Sequence, residues 1–319
     1  MALTVRLALR DWDWLTPILL GDIKPSGFTV AIERVGTLIG DLASDPGFDG
    51  AEMSFSRYAQ RVLRAEAKVV ALPHFLMRGF RHRCIITSKA STIDSLEGLA
   101  GKAIGLAGWQ DSGNTWTRAL LRRKGVGVPD ARWWLSRLSA AHPITDRIAG
   151  FGRPGLIETV PGDRPLLDML EAGELDAVFT PFMPPGFFAP ESRLRPLLAD
   201  YRAEEVRYFR EVGYVPGIHL LGLKQALVAE HPTLPAALSE LLDESARMWL
   251  DKREKYADTT PWIIDELARC ARDLPPGWDR NGLAANATMI EAFATELHQQ
   301  GIAPRLLTLS ELFPTATLP

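Results

Sequence analysis

The run Phe80-Arg81-His82-Arg83 sets a histidine between two guanidinium groups just before an apolar stretch. Arginine grips carboxylates through paired N–H donors, and its charge does not titrate away. Histidine is the side chain most easily tuned to exchange a proton near neutrality. Together they read as a site that holds an organic acid and moves a proton on it. In that reading Arg81 is the carboxylate clamp, His82 the acid or base, and Arg83 a second cation. The plain alternative is a solvated strand edge with a structural histidine. A strand over residues 81–85 would alternate its side chains and turn His82 away from Arg81 and Arg83, so both can reach a ligand only if residues 80–82 are loop.

Two further clusters carry polar groups at places where elements end. Asp111-Ser112-Gly113-Asn114 precedes Trp116 and a helical run to about Lys124, which Gly125 stops. The free N–H groups of a helix start attract anions. Ser112 and Asn114 could add donors there, and Trp116 is counted with them as substrate-binding. Asp111 would repel a carboxylate and reads as a cap. Glu52-Met53-Ser54 closes a strand. Glu52 could accept a phenolic proton, and Ser54 could bind a ligand oxygen or cap the next helix. His74 and His219 are weaker candidates. His219 lies between Ile218 and Leu220, as core histidines often do, and is kept as a substrate-binding residue. His142 and His231 precede prolines and read as turn residues, and His298 belongs to a polar helix.

Other chemistries lack their residues. There is no HExxH and no His/Cys spacing of a zinc site, so no metal is expected. Gly101-Lys102 lacks the glycine-rich lead of a phosphate loop, and no Gly-x-Gly-x-x-Gly follows the first strand. A net charge of -3, with no basic stripe, sets nucleic acid and acidic membranes aside. Cys84 and Cys270 read as two buried free thiols. The first ten residues alternate like a strand and have no signal-peptide core, and no stretch is long and apolar enough to span a membrane. The expectation is a cytoplasmic protein. Assembly as a homo-oligomer is left open.

These residues must be positioned by α/β architecture, because short β-like runs alternate with helical ones. The pattern predicts strands over residues 5–9, 28–33, 48–54, 69–73, 83–87, 175–180 and 218–223, and another feeding from Gly101 to Leu106. It predicts helices over 57–67 and 111–124, and one after Pro165 that Gly173 ends. The proline-rich residues 181–190 read as a surface loop. Leu234, Leu238, Leu241, Leu242, Ser245, Met248 and Trp249 form a buried helical stripe.

Three segments carry a resemblance. They are Asp49 to Ser54 with Arg57-Tyr58, then Pro73-His74-Phe75 leading to Gly79 through Arg83, then Gly101-Lys102 through Gln110 with Trp116-Thr117-Arg118 and Gly125-Val126. In this order and spacing the chain resembles the 4,5-dihydroxyphthalate decarboxylases. It departs from their pattern at Arg83, where serine is usual, and at Gly113-Asn114-Thr115. The resemblance implies a two-lobed type II periplasmic-binding-protein-like fold with a ligand cleft between the lobes. It implies a discontinuous first lobe of residues 1–102 and 216–319 and an inserted lobe of residues 103–215. It further implies decarboxylation of a hydroxylated aromatic dicarboxylate to a dihydroxybenzoate and CO2, with no cofactor, because the ring serves as its own electron sink. His82, Arg81 and Glu52 would be catalytic. Ser54, Arg83, Ser112, Asn114, Trp116 and His219 would contact the small aromatic carboxylate. The other reading is a solute-binding or sensor protein that does no chemistry.

Overall fold

The computed structural model describes residues 3–66, 68–256 and 260–315. The chain divides into two compact units: Met1–Arg78, Gly217–Glu291 and Leu307–Pro319 make the first, and Gly79–Pro216 with Ala292–Leu306 the second.

The first unit is built on a mixed sheet of β1 (Leu3–Arg10), β2 (Phe28–Val35), β3 (Gly50–Ser54), β4 (Val69–Ala71), β5 (Met77–Arg78) and β12 (Gly217–Lys224). The order is β2-β1-β3-β12-β4, with β5 also on β12. β1 is parallel to β2 and β3, and β12 runs antiparallel to β3, β4 and β5. The alternation that predicts β1 is real. Val5, Leu7 and Leu9 are fully buried, while Thr4 and Arg6 are exposed. These three pack with Leu221, Leu223, Leu234, Leu238 and Leu242 in one cluster. Ala8 faces the other way, into Leu42, Ala51 and Val69. Gly50 lets β3 lie tight between its neighbours: a Cβ there would come within 2.7 Å of Leu7 and 2.6 Å of Leu223.

Around this sheet lie α1 (Thr16–Leu19), α2 (Phe55–Leu63), α6 (Gln225–Glu230), α7 (Leu234–Tyr256), α8 (Ile263–Asp273), α10 (Leu309–Leu312) and the start of α9 (Leu283–Gln299). α7 carries the predicted stripe. Its leucines and Ser245 are buried, and Met248 and Trp249 are half-buried. The Ser245 hydroxyl donates to the Trp14 carbonyl at 2.8 Å.

The second unit has a sheet of β6 (Ile85–Ser88), β7 (Ala103–Leu106), β8 (Arg132–Leu135), β9 (Ile157–Thr159), β10 (Ala177–Phe179) and β11 (Leu194–Pro196). The order is β11-β6-β10-β7-β8-β9; β6 is antiparallel to both neighbours and the other pairs are parallel. It carries α3 (Ser112–Arg123), α4 (Leu166–Glu171), α5 (Tyr201–Val212) and the end of α9. α3 stops as predicted: Gly125 takes φ +80°, which costs glycine little. Residues 181–190 carry no strand or α-helix.

Several expectations shift. The strand expected over 83–87 starts at Ile85, because residues 82–84 form a single 3-10 turn. That turn leaves residues 80–82 outside any strand. The helix expected over 57–67 spans Phe55–Leu63; residue 67 lies outside the described residues. Cys84 is buried, whereas Cys270 is half-buried. The implied crossing near residue 102 lies at 78–79 instead, because β6 pairs with β10 and β11 of the second unit. The second unit is also not one insertion, since residues 292–306 belong to it. Among the described residues no helix is long and apolar enough to cross a membrane.

Leu238 is fully buried where α7 meets β1 and β12. Leu238→Ala removes that packing and leaves a cavity, so urea unfolding should show a loss of about 3 kcal/mol.

Candidate active site

In the first unit the site grows from one buried carboxylate. Glu52 sits on β3 and is 1% exposed. The register sets Glu52 opposite Leu221 and Ser54 opposite His219, so Glu52 and His219 are diagonal neighbours on one face. An ionised group withdrawn from water needs hydrogen bonds in exchange, and Glu52 has three. Its Oε1 lies 2.6 Å from His219 Nδ1. Its Oε2 accepts from the Trp12 indole N–H at 2.8 Å and from the Arg10 amide at 3.0 Å.

A carboxylate only accepts, so in this pair His219 Nδ1 donates to Glu52 Oε1. Nε2 makes no hydrogen bond among the described residues, and the side chain is 12% exposed. The result is a buried acid that fixes the ring orientation of a partly exposed histidine. Such a histidine can take a proton and give it back, and the acid steadies the imidazolium formed in between. Ser54 is buried beside it, at the head of α2, and makes no side-chain cap bond.

His74 behaves differently. Its Nδ1 meets the Ser239 hydroxyl at 2.7 Å, and Asn281 approaches Nε2 at 3.4 Å. Burial drives its pKa down to about 3, so it is a neutral structural group.

In the second unit Arg81 and His82 part company. Arg81 is 2% exposed and lies on the first turn of α3, with Nε donating to Thr117 Oγ1 at 3.3 Å. Gly113 makes this approach possible, because a Cβ there would lie 2.8 Å from Arg81 Nη2. Burial lowers the Arg81 pKa, the opposing pull of Cys84 and Asp111 notwithstanding. His82 instead packs edge-on against Tyr208, ring centres 5.5 Å apart. It lines a cavity of about 170 Å³ with Leu120, Arg123 and Lys124 at the other end of α3. Arg123 and Arg207 in that cavity are tied to Glu211 and Glu204, each at 2.7 Å. His82 is 4% exposed, its Nδ1 has no partner, and burial with the nearby Lys124 and Arg207 pushes its pKa down to about 4.

The remaining candidates scatter. Arg83 is exposed; its amide donates to Glu205 and its guanidinium to the Pro181 carbonyl, both at 3.3 Å. Burial holds the Glu205 pKa up at about 7. Ser112 is buried as the first residue of α3. Asn114 spends its side-chain amide on the Gly108 carbonyl at 2.8 Å. Trp116 is a core side chain, 5.0 Å from Phe293 and 5.8 Å from Tyr214 between ring centres. Asp111 stands at the N-cap but makes no cap hydrogen bond; its carboxylate lies against Gly108. No group of three or more potential metal ligands occurs among the described residues.

Sequence reasoning missed two participants. Trp12 lies two residues past the end of β1, and the signal was that position just beyond a strand's carboxyl end. Arg118 is a buried cation held by Gln300 Oε1 and the Trp109 carbonyl, both at 2.7 Å, and stacked 4.0 Å over the Trp109 ring. Burial lowers its pKa to about 9. Beside it Arg122 pairs with Glu296.

No family model matches the chain. By fold it is a type II periplasmic-binding-protein-like α/β protein of two mixed sheets. The periplasmic aliphatic sulphonate binding protein SsuA from Escherichia coli superposes with a TM-score of 0.57 at 12% identity, covering 98% of each chain. The desulfurization enzyme DSZB superposes at 0.53 with 16% identity, over 98% of this chain and 96% of that one. The fold thus serves binding proteins and enzymes alike. In sequence the chain is a distant homologue of the 4,5-dihydroxyphthalate decarboxylase of Comamonas testosteroni. The two are 26% identical over 324 residues, 99% of this chain and 98% of that protein.

His82 offers a test of the burial argument. A free histidine gains a proton as pH falls through 6.5, whereas His82 resists until about 4. Between those values the unfolded chain binds the extra proton, so folding stability falls as pH falls. From pH 7 to pH 5 the loss is about 2 kcal/mol from this group. His82→Leu should shrink the pH 7 to pH 5 stability difference by about that amount in urea unfolding.

Proposed function

We propose that the protein decarboxylates a hydroxylated aromatic acid of the 4,5-dihydroxyphthalate kind, and that His219, held by Glu52, carries the proton. The observation that carries this reading is the short bond from the buried Glu52 carboxylate to His219 Nδ1, which leaves Nε2 bare. The full-length similarity to a decarboxylase supports the same chemistry.

With a hydroxyl para to a carboxylate, His219 Nε2 takes the phenolic proton. The electron pair moves into the ring and onto the carbon that bears the carboxylate. The imidazolium returns its proton to that carbon. The carbon–carboxylate bond then breaks, CO2 leaves, and its bonding pair restores the aromatic ring as a phenolate, which takes a proton from water. The ring accepts and returns the electrons, so the protein has to orient the acid, move the proton and keep the imidazolium beside a negative charge. Glu52 supplies that charge.

A second reading, binding without turnover, is favoured by the likeness to a sulphonate binding protein. The two separate in one experiment. Chelator-treated protein is mixed with 4,5-dihydroxyphthalate, and CO2 release and calorimetric binding are followed together. Turnover is expected. His219→Gln should cut it by about a thousandfold, and Glu52→Gln by more than about a hundredfold, with binding retained. Tight binding without CO2 would establish the second reading. Neither binding nor turnover would discard this substrate.

A further inference from the structure

We propose that α8 is a pairing surface on which two copies of this chain lie antiparallel. The proposal does not depend on the reaction above.

α8 is eleven residues long and buries none of them. A helix of that length is marginal by itself, and in a folded protein its apolar face is normally sealed against the body. Here Ile263, Leu267 and Cys270 share one face and are only half-buried. Beside that face Ile264, Ala268 and Ala271 form a second strip at i, i+4 and i+7, and all three are exposed. Ile264 is 55% exposed, and Trp262, which leads into the helix, is 73% exposed. A single exposed apolar side chain is ordinary. An indole and an isoleucine two residues apart, at the start of a helix that buries nothing, make a patch that wants a cover.

The charges on α8 indicate what covers it. Asp265 and Glu266 stand in its first turn and Arg272 in its last. At about 100° per residue, positions seven apart differ by about 20°, so Asp265 and Arg272 flank the same edge of the exposed strip. Asp265 holds Arg269 at 2.8 Å. Arg272 is 68% exposed, and among the described residues its guanidinium meets only the adjacent Asp273, at 3.8 Å. Laid antiparallel on a second copy, each Asp265 faces the other copy's Arg272, and the two helix dipoles oppose. Laid parallel, acid meets acid. In the antiparallel arrangement the two-fold axis passes beside Ala268, whose small side chain lets the helices approach closely. Trp262 of each copy then lands near Leu274 and Pro275 of the other. Such a pattern is complementary to itself, and an unrelated partner would have no need of that symmetry. Two helices about 16 Å long cover less than the roughly 800 Å² per partner of a stable interface, so the pair exchanges with monomer, with a dissociation constant on the order of 10–100 μM.

Sedimentation equilibrium of the full chain, from about 5 to about 300 μM, tests the surface. A monomer–dimer equilibrium is expected. Trp262→Ser and Ile264→Lys should each raise the dissociation constant more than about tenfold. Both side chains face solvent in the monomer, so circular dichroism and the melting temperature of the dilute protein should not change. Asp265→Arg alone and Arg272→Glu alone should each weaken pairing by about fivefold, because like charges then meet across the axis. The double variant restores opposite charges and should pair within about twofold of the parent. Protein that stays monomeric at the highest concentration overturns the proposal, as does a dimer that either Trp262→Ser or Ile264→Lys leaves intact. A double variant that pairs no better than the single ones overturns it as well, because the copies then do not meet antiparallel through this face.

Discussion

Withdrawing the Glu52 carboxylate from water is costly unless protein donors replace the solvent, and the first unit is arranged around that replacement. The donors come from three places in the chain: the end of β1, the indole that follows it, and a histidine on β12 more than 160 residues later. None can move by itself. A slip of β12 by one residue would turn His219 to the opposite face and leave Oε1 bare. The tight seat of Gly50 between Leu7 and Leu223 resists that slip. Ordinary strand packing thus sets the position of a proton-transfer group to within a hydrogen bond's tolerance.

The second unit shows the same physics with the sign reversed. Two cations are buried on α3 or against it. One, Arg118, is held at Nε by Gln300 and at Nη2 by the Trp109 carbonyl, with Nη1 left without a partner among the described residues. The other, Arg81, donates from Nε to Thr117, and nearby acidic groups including Asp111 and Glu205 offset part of the cost of its burial. His82 is another buried titratable group, and desolvation, helped by Lys124 and Arg207, accounts for its reluctance to charge.

Much of the frame was legible. The alternation of Val5, Leu7 and Leu9, the leucine stripe of α7, and the Asp111 and Gly125 boundaries of α3 are local patterns, and local patterns survive folding. Glu52 was legible as a strand-end acid. What tied it to His219 was not, because antiparallel register between β3 and β12 is a long-range fact. His219 among apolar neighbours reads as core, and indeed one of its nitrogens is satisfied; the other is what matters. The emphasis on His82 followed from its neighbours in sequence, and the 3-10 turn at 82–84 sends it and Arg81 to opposite ends of one helix. The division between units escaped for a similar reason, since the partners of β6 lie about a hundred residues away.

That division bears on how the protein is made. Gln300 and Glu296, which hold Arg118 and Arg122, belong to the last stretch of the second unit. A nascent chain that has delivered everything through residue 216 has the sheet of that unit but not the segment that anchors α3. The second unit therefore stays incomplete until the ribosome has passed residue 306, by which time most of the first unit has also emerged. The two must mature late and nearly together, and a gene fragment cut at the apparent border encodes Arg118 without its Gln300 acceptor and Arg122 without Glu296.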